Sequence, residues 1–497
     1  MPHEPNRRPD ILFFFSDQHH GLYSGYAGHP IVQTPNLDRI AANGTAFDTA
    51  YTACPLCVPA RSAMLSGQLA SRTGIFGNQQ SLHTDQATFL HAIGAEGYET
   101  VLCGRMHFKG PDQRHGFSKR LCGDITALHS GGIAAGEFFG ASFGMRGCAD
   151  LAGGGNSPTL EYDRTVVRAV LDYLAQDHER PQCIVVGTYG PHFPYIAPPD
   201  LFEQYLSEAD VPVSWDPEAH DPNPLVDAKR QRIRRKPVTR EESPVTEDVL
   251  RACRAAYFGL ITEQDRHVGA VRDAWQEYLE RRSRPGFFVY SSDHGDTCGE
   301  HGIFGKQTFY EGSVRIPLLF EGAGVAGGQR VGTPASILDI GPTLCEAAGA
   351  APPPSQDGIS LLDRVRNPGN APAPDRAVVS EWTQRFQDDI VTGRMVRRGP
   401  WKLIHFEHAD MPDQLFHLED DPDEMANRVE TESDVRRSLL AELLEDWQPA
   451  DIVASAREEA KHQAVLRGFK THHPPPEPET DRWPVPEATV RPPDILV

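Results

Sequence analysis

Chemistry in this chain concentrates first in the run Cys54-Pro-Leu-Cys57-Val-Pro-Ala-Arg61-Ser-Ala-Met-Leu-Ser-Gly67. Two cysteines spaced C-x-x-C suit a redox pair or half of a zinc site. Pro59 and Arg61 ahead of Ala63 to Leu65 predict a helix that starts just after Cys57. A helix N-terminus together with Arg61 would lower the pKa of Cys57 and favour an anionic ligand there. No second C-x-x-C completes a zinc site, and no thioredoxin-sized βαβ unit surrounds the pair.

Other reactive residues follow short apolar blocks. Asp17-Gln18 follows Ile11 to Phe15, Asp293-His294-Gly295-Asp296 follows Phe287 to Ser291, and Pro191-His192 follows the block at Cys183 to Gly187. Two Asp-bearing strand ends converging above one sheet would form an oxygen-rich site for a hard divalent cation, completed by the Gln18 amide and the His294 imidazole. Alternatively, Asp17 and Asp293 cap following helices. His19, His20, His301 and Asp296 adjoin the same segments.

Such a site needs a scaffold. Candidate strands at Ile11 to Phe15, Thr100 to Cys103, Cys183 to Gly187, Phe287 to Ser291 and Ile316 to Phe320 alternate with helical stretches. The helices are expected at Asn36 to Ala42, Ala87 to Ala95, Arg164 to Gln176, Glu247 to Arg281 and Ile337 to Ala348. Nearly continuous apolar strands between helices predict an α/β fold, a large and mainly parallel sheet covered on both faces. Ligands of such sheets bind beyond the carboxyl ends of the strands, where the reactive residues fall. Gly131 to Gly155 reads as a long loop or lid, and the prolines of Ala351 to Pro374 mark a boundary. Beyond it, a hairpin turning at Gly399-Pro400 and a helix over Ser433 to Trp447 predict a small α+β unit. The expected division is a large α/β domain over 1–370, a subdomain over 371–450, and a helix with a Pro-rich tail over 451–497, an extended arm.

The 497 residues are 39% hydrophobic and 24% charged, which excludes wholesale disorder. With 48 Lys and Arg against 69 Asp and Glu, the formal charge of -21 opposes nucleic-acid and anionic-membrane binding. Lys229 to Arg240 is a basic run that reads as a solvated loop. Nine scattered cysteines form no disulfide framework and are expected to be buried free thiols. No apolar run is long enough for a membrane helix, and the first residues lack a secretory apolar region, so a cytoplasmic location is expected.

The segment Cys57-Val58-Pro59, Arg61 and Leu65-Ser66-Gly67 resembles the signature of the type I sulfatases of the alkaline-phosphatase superfamily, with Ala60 in place of Ser. The resemblance extends over about residues 9 to 450. It takes in Thr34-Pro35-Asn36-Leu37-Asp38, Gly104-Arg105-Met106-His107, Pro191-His192, Asp293-His294-Gly295-Asp296, Lys306 and Glu311-Gly312-Ser313. Arg105 stands where that family usually has Lys. Met106-His107-Phe108 with His115-Gly116, and Trp447 to Phe469, are most similar to choline sulfatases and their bacterial relatives.

The resemblance implies a sulfuric ester hydrolase in which Cys57 is converted to formylglycine by a maturase, such as the formylglycine-generating enzyme. It implies a divalent cation, Ca2+ first with Mn2+ or Mg2+ as alternatives, on Asp17, Gln18, Asp293, His294 and the residue derived from Cys57. In that scheme Arg61 holds the aldehyde hydrate, Arg105 and Lys306 bind sulfate oxygens, His192 or Lys306 protonates the leaving oxygen, and His107 removes a proton from the hydrate. A homodimer or homotetramer acting on a small-molecule sulfate ester is the implied form. Hydrolysis of phosphonate monoesters or phosphodiesters on the same scaffold is the alternative, and a binding protein that keeps Cys57 as a thiol is a third reading.

Overall fold

Strand Asp10–Asp17 is buried along its whole length because it lies between two parallel partners. Phe13 pairs with Val185 of strand Gln182–Pro191 on one side and with Val289 of strand Gly286–Ser292 on the other. Its continuous apolar run follows from that position: Ile11, Phe13 and Phe15 fill one face of the sheet, Leu12 and Phe14 the other. The computed structural model describes residues 8–126, 149–215, 223–233, 244–368 and 376–473.

Eight strands form the sheet, in the order Gln329–Val331, Thr45–Phe47, Leu318–Gly322, Gly286–Ser292, Asp10–Asp17, Gln182–Pro191, Glu99–Gly104 and Lys119–Cys122. Only Leu318–Gly322 runs against its neighbours. Helices Cys57–Ser66, Phe89–Ala95 and Ile340–Ala348 cover the Phe13 face through Met64, Phe89, Ile93 and Leu344. Helices Pro35–Asn43, Pro158–Leu174 and the second half of Glu247–Arg282 cover the other through Leu37, Val166, Val170, Val268 and Trp275. This is the expected architecture. The short strands Thr45–Phe47, Lys119–Cys122 and Gln329–Val331 were not among the sequence expectations.

A second, antiparallel sheet follows, Val378–Phe386, Asp389–Arg398, Trp401–Phe406 and Gln414–His417, with the expected turn at Gly399-Pro400. Its side chains alternate faces. Val396, Leu403 and Leu415 pack on Leu439, Leu443 and Trp447, while Met395, Ile404 and Phe416 pack on Phe309 and Tyr310 of the larger unit. Lys402 of this sheet is buried between Glu311, 2.9 Å away, and Glu424, 2.8 Å away. Helix Ser433–Leu444 and helix Pro449–His472 complete it.

Several expectations fall on residues outside those described: the 370/371 boundary, residues 131–148 of the expected lid, 234–240 of the basic run, and the tail from Pro474. The described part of the basic run corrects the solvated-loop reading, since Lys229 and Arg230 lie in helix Pro224–Ile233 and are buried. Eight cysteines are described, and all are free and buried. Among the described residues no helix is long and apolar enough to cross a membrane.

Candidate active site

Four reactive side chains meet where the strands end. Asp17 is the last residue of its strand, Asp293 and His294 follow strand Gly286–Ser292, and Cys57 is the first residue of helix Cys57–Ser66. One donor atom from each of Asp17, Cys57, Asp293 and His294 lies within 4.8 Å of the others, and all four residues are buried. Asp17 and Asp293 are therefore not helix caps, and Cys54, the other half of the C-x-x-C pair, stays outside the cluster. Cys54 and Cys57 are not joined by a disulfide.

Opposite charges hold the acids. Arg61 donates from Nη2 to Asp17 Oδ2 at 3.0 Å and from Nε to Asp293 Oδ2 at 2.9 Å. Arg105 donates from Nε to Asp17 Oδ2 at 2.7 Å. Burial opposes ionisation of Asp17, yet Arg105 and Arg61, helped by Lys306, hold its carboxyl well below the usual range. Asp17 Oδ1 faces Cys57 Sγ and His294 Nε2, each 3.9 Å away. His294 Nε2 is 3.2 Å from that sulfur, and burial lowers its pKa to about 4, which keeps the imidazole neutral. Two carboxylates, a neutral imidazole and residue 57 form a donor set that fits a divalent cation.

Gln18 adopts a left-handed backbone, φ 68°, that turns the chain at the strand end. Its Oε1 accepts from Lys306 Nζ at 2.8 Å, and the same ammonium reaches Cys57 Sγ at 2.9 Å. Burial and the neighbouring Asp17 push the Cys57 thiol up rather than down. This corrects the expected acidification: Arg61 is spent on the two aspartates and does not offset the cost of burying a thiolate.

Arg105 also donates from Nη2 to His107 Nδ1 at 2.8 Å. A guanidinium only donates, so Nδ1 is the acceptor and Nε2 carries the ring proton. Burial, Arg105 and Lys109 hold His107 well below the usual imidazole range, so it is neutral. In this arrangement the free ring nitrogen of His107, Nε2, is the N–H donor. His192 is buried beside Tyr189, its Nδ1 2.6 Å from the Phe193 carbonyl, and burial with nearby Lys306 lowers its pKa well below 6.5.

Asp124 was missed. It follows strand Lys119–Cys122, the same signal that singled out Asp17 and Asp293. Its Oδ2 accepts the backbone N–H of His107 at 2.7 Å and of Met106 at 3.2 Å, while Oδ1 accepts from Arg105 Nη1 at 3.3 Å. The ring of Tyr189 lies 4.8 Å beneath the Arg105 guanidinium. Of the adjoining residues, Asp296 accepts from Gln18 Nε2 and Tyr195 Oη, whereas His19 bonds Tyr290 Oη, His20 stacks on Tyr23, and His301 stacks on Tyr310.

Known proteins share this arrangement of elements. The sulfatase family profile matches residues 9–350, and the profile of the N-sulphoglucosamine sulphohydrolase C-terminal region matches residues 299–448. A choline-sulfatase of Rhizobium meliloti (strain 1021) is 33% identical over 443 residues, covering 85% of this chain and 83% of that protein. Arylsulfatase K of Xenopus laevis is 27% identical over 441 residues, 85% of this chain and 79% of its own. The fold matches that of the phosphonate monoester hydrolase of Agrobacterium radiobacter, with a TM-score of 0.70, 22% identity, and coverage of 88% of this chain and 95% of that one. A protein solved with its substrate D-glucosamine-2-N,6-O-disulfate matches equally, with a TM-score of 0.70, 21% identity, and 88% and 97% coverage. With more than half its length matched by the family profile and a relative of this likeness, the chain belongs to the sulfatases and is a hydrolase of sulfate esters.

Proposed function

We propose that the chain cleaves small-molecule sulfate monoesters with a formylglycine at position 57 and a divalent cation, Ca2+ first and Mn2+ or Mg2+ as alternatives. The observation that carries this reading is the convergence of Asp17, Cys57, Asp293 and His294 within 4.8 Å. Asp17, Gln18, Asp293, His294 and residue 57 would hold the cation, which when bound supplies Lewis-acid stabilisation of sulfate oxygens and of an ionised hydroxyl. The aldehyde hydrate supplies an oxygen nucleophile in place of the thiol. Arg61 fixes the two aspartates at hydrogen-bond distance. Lys306 Nζ, 2.9 Å from residue 57, is close enough to bind a sulfate oxygen, protonate the leaving alcohol and take a proton back from residue 57. His192 is the second candidate for the leaving-group proton. Arg105 orients His107, whose Nε2–H stabilises developing negative charge.

The choline-sulfatase likeness makes choline sulfate and aryl sulfates the first substrates to try. The eight free thiols among the described residues fit a reducing, cytoplasmic compartment. Val465 and Phe469 are 72% and 59% exposed on helix Pro449–His472, an apolar surface that a homodimer or homotetramer would cover; a monomer by light scattering counts against it. The test of function has three parts: mass of the peptide containing Cys57, metal content, and paired kinetics on an aryl sulfate and an aryl phosphonate monoester. An unconverted thiol in fully active enzyme overturns the nucleophile. A preference for the phosphonate favours the second reading, which the same donor set would also serve.

A further inference from the structure

Helix Pro224–Ile233 carries two adjacent buried basic side chains that bond backbone carbonyls, and Arg230 also pairs with Asp227 at 2.9 Å. Lys229 is 5% exposed and its Nζ donates to the carbonyls of both Lys306 and Gln307. Among the described residues its Nζ bonds these two carbonyls and no carboxylate. Arg230 donates from Nε to the His301 carbonyl at 2.8 Å. Burying an amino group without an acid is costly, so its retention calls for a role that two carbonyl acceptors supply. Burial, with Arg232 and Lys306 nearby, pushes the Lys229 pKa well down, and a neutral amine still has two N–H donors for the two carbonyls.

The segment these two side chains grip carries Lys306. Gly305 N–H donates to Asp296 at 2.8 Å, Gln307 N–H donates to the Pro55 carbonyl at 3.1 Å, and Gln307 takes a left-handed φ of 69°. Between these pins, Lys229 alone among the described residues binds the Lys306 and Gln307 carbonyls from the far side. The helix is itself anchored on the second sheet: Lys229 Nζ sits 5.3 Å over the Trp382 ring, and Asn223 donates to Gln414 at 2.9 Å.

We propose that Lys229 is a positioning residue that sets the Lys306 backbone so that Nζ of Lys306 meets residue 57 and Gln18. This rests on the reading of Lys306 above. A displacement of about 1 Å in such a group costs roughly a hundredfold in rate.

The test is a double-mutant cycle in the matured full-length enzyme, with Lys229→Met, Lys306→Ala and their combination assayed on an aryl sulfate. Lys229→Met is expected to lower kcat/KM by roughly tenfold to a hundredfold in the wild-type background and by less than about twofold in the Lys306→Ala background. Lys229→Arg, which keeps N–H donors at similar reach, is expected to recover most of the loss. It also serves if the Met variant fails to fold, which thermal denaturation reads. Equal fold losses in both backgrounds overturn the proposal, as does full activity of folded Lys229→Met. Full activity of Lys306→Ala overturns instead the role given to Lys306, and that result is read without any Lys229 variant.

Discussion

Replacing Asp124 by Asn keeps the shape of the side chain and removes only its charge and one acceptor. Burial opposes ionisation of this carboxyl, but Arg105, Arg120 and the Thr126 N–H draw its pKa from 3.8 down to about 2. That difference corresponds to about 2 kcal/mol of folding free energy, present above about pH 4 and lost as pH falls through about 2. Counting it again from the Arg105 side would count one ion pair twice. The amide also turns an NH2 either toward the N–H groups of Met106 and His107 or toward Arg105, so a buried donor loses its acceptor. Chemical denaturation at neutral pH is expected to show Asp124→Asn destabilised by at least about 2 kcal/mol. Because His107 hangs from this carboxylate by its own N–H, kcat/KM on an aryl sulfate is expected to fall by about thirtyfold or more. A change in stability below about 0.5 kcal/mol together with kcat/KM within twofold of wild type would refute the idea that Asp124 holds the Arg105–His107 pair.

His107→Gln retains an N–H donor and is expected to stay within about tenfold of wild-type kcat, while His107→Ala loses roughly a hundredfold; equal losses would restore the proton-acceptor role. Chelation followed by dialysis is expected to abolish turnover and Ca2+ to restore it, and Asp293→Asn is expected to lower bound metal and cut kcat/KM about a thousandfold. Burial and the neighbouring Glu311 outweigh Lys402 and raise the Glu424 pKa to about 7, so stability falls as pH climbs from about 4.5 to about 7. Glu424→Gln should flatten thermal stability across that window, and an unchanged slope counts against the assignment.

Much of the scaffold was legible because buried parallel strands announce themselves as apolar runs. Ile11 to Phe15 and Phe287 to Ser291 are cases where pairing on both sides leaves no polar face. The rule that ligands gather beyond strand ends then pointed to Asp17, His192, Asp293 and His294. It would also have found Asp124, had Lys119–Cys122 been recognised; that strand carries Lys119 and Arg120 and its four residues show no apolar run. The state of Cys57 and the tautomer of His107 were not legible, since both depend on which partner each guanidinium takes in three dimensions. Lys229 was misread for a related reason. A basic run looks solvated until the carbonyls that meet one of its members are brought in from residues 306 and 307.

All ten residues of helix Cys57–Ser66 are buried, and Cys57 itself is 1% exposed. A maturase that must surround a cysteine with its own active site has no approach to that side chain after the sheet and helices have closed over it. On the proposed reading of position 57, conversion would therefore be a race against collapse of the nascent polypeptide, won or lost within a single synthesis. A preparation made where folding outpaces the maturase would contain well-packed, inert molecules that later exposure to the maturase does not rescue.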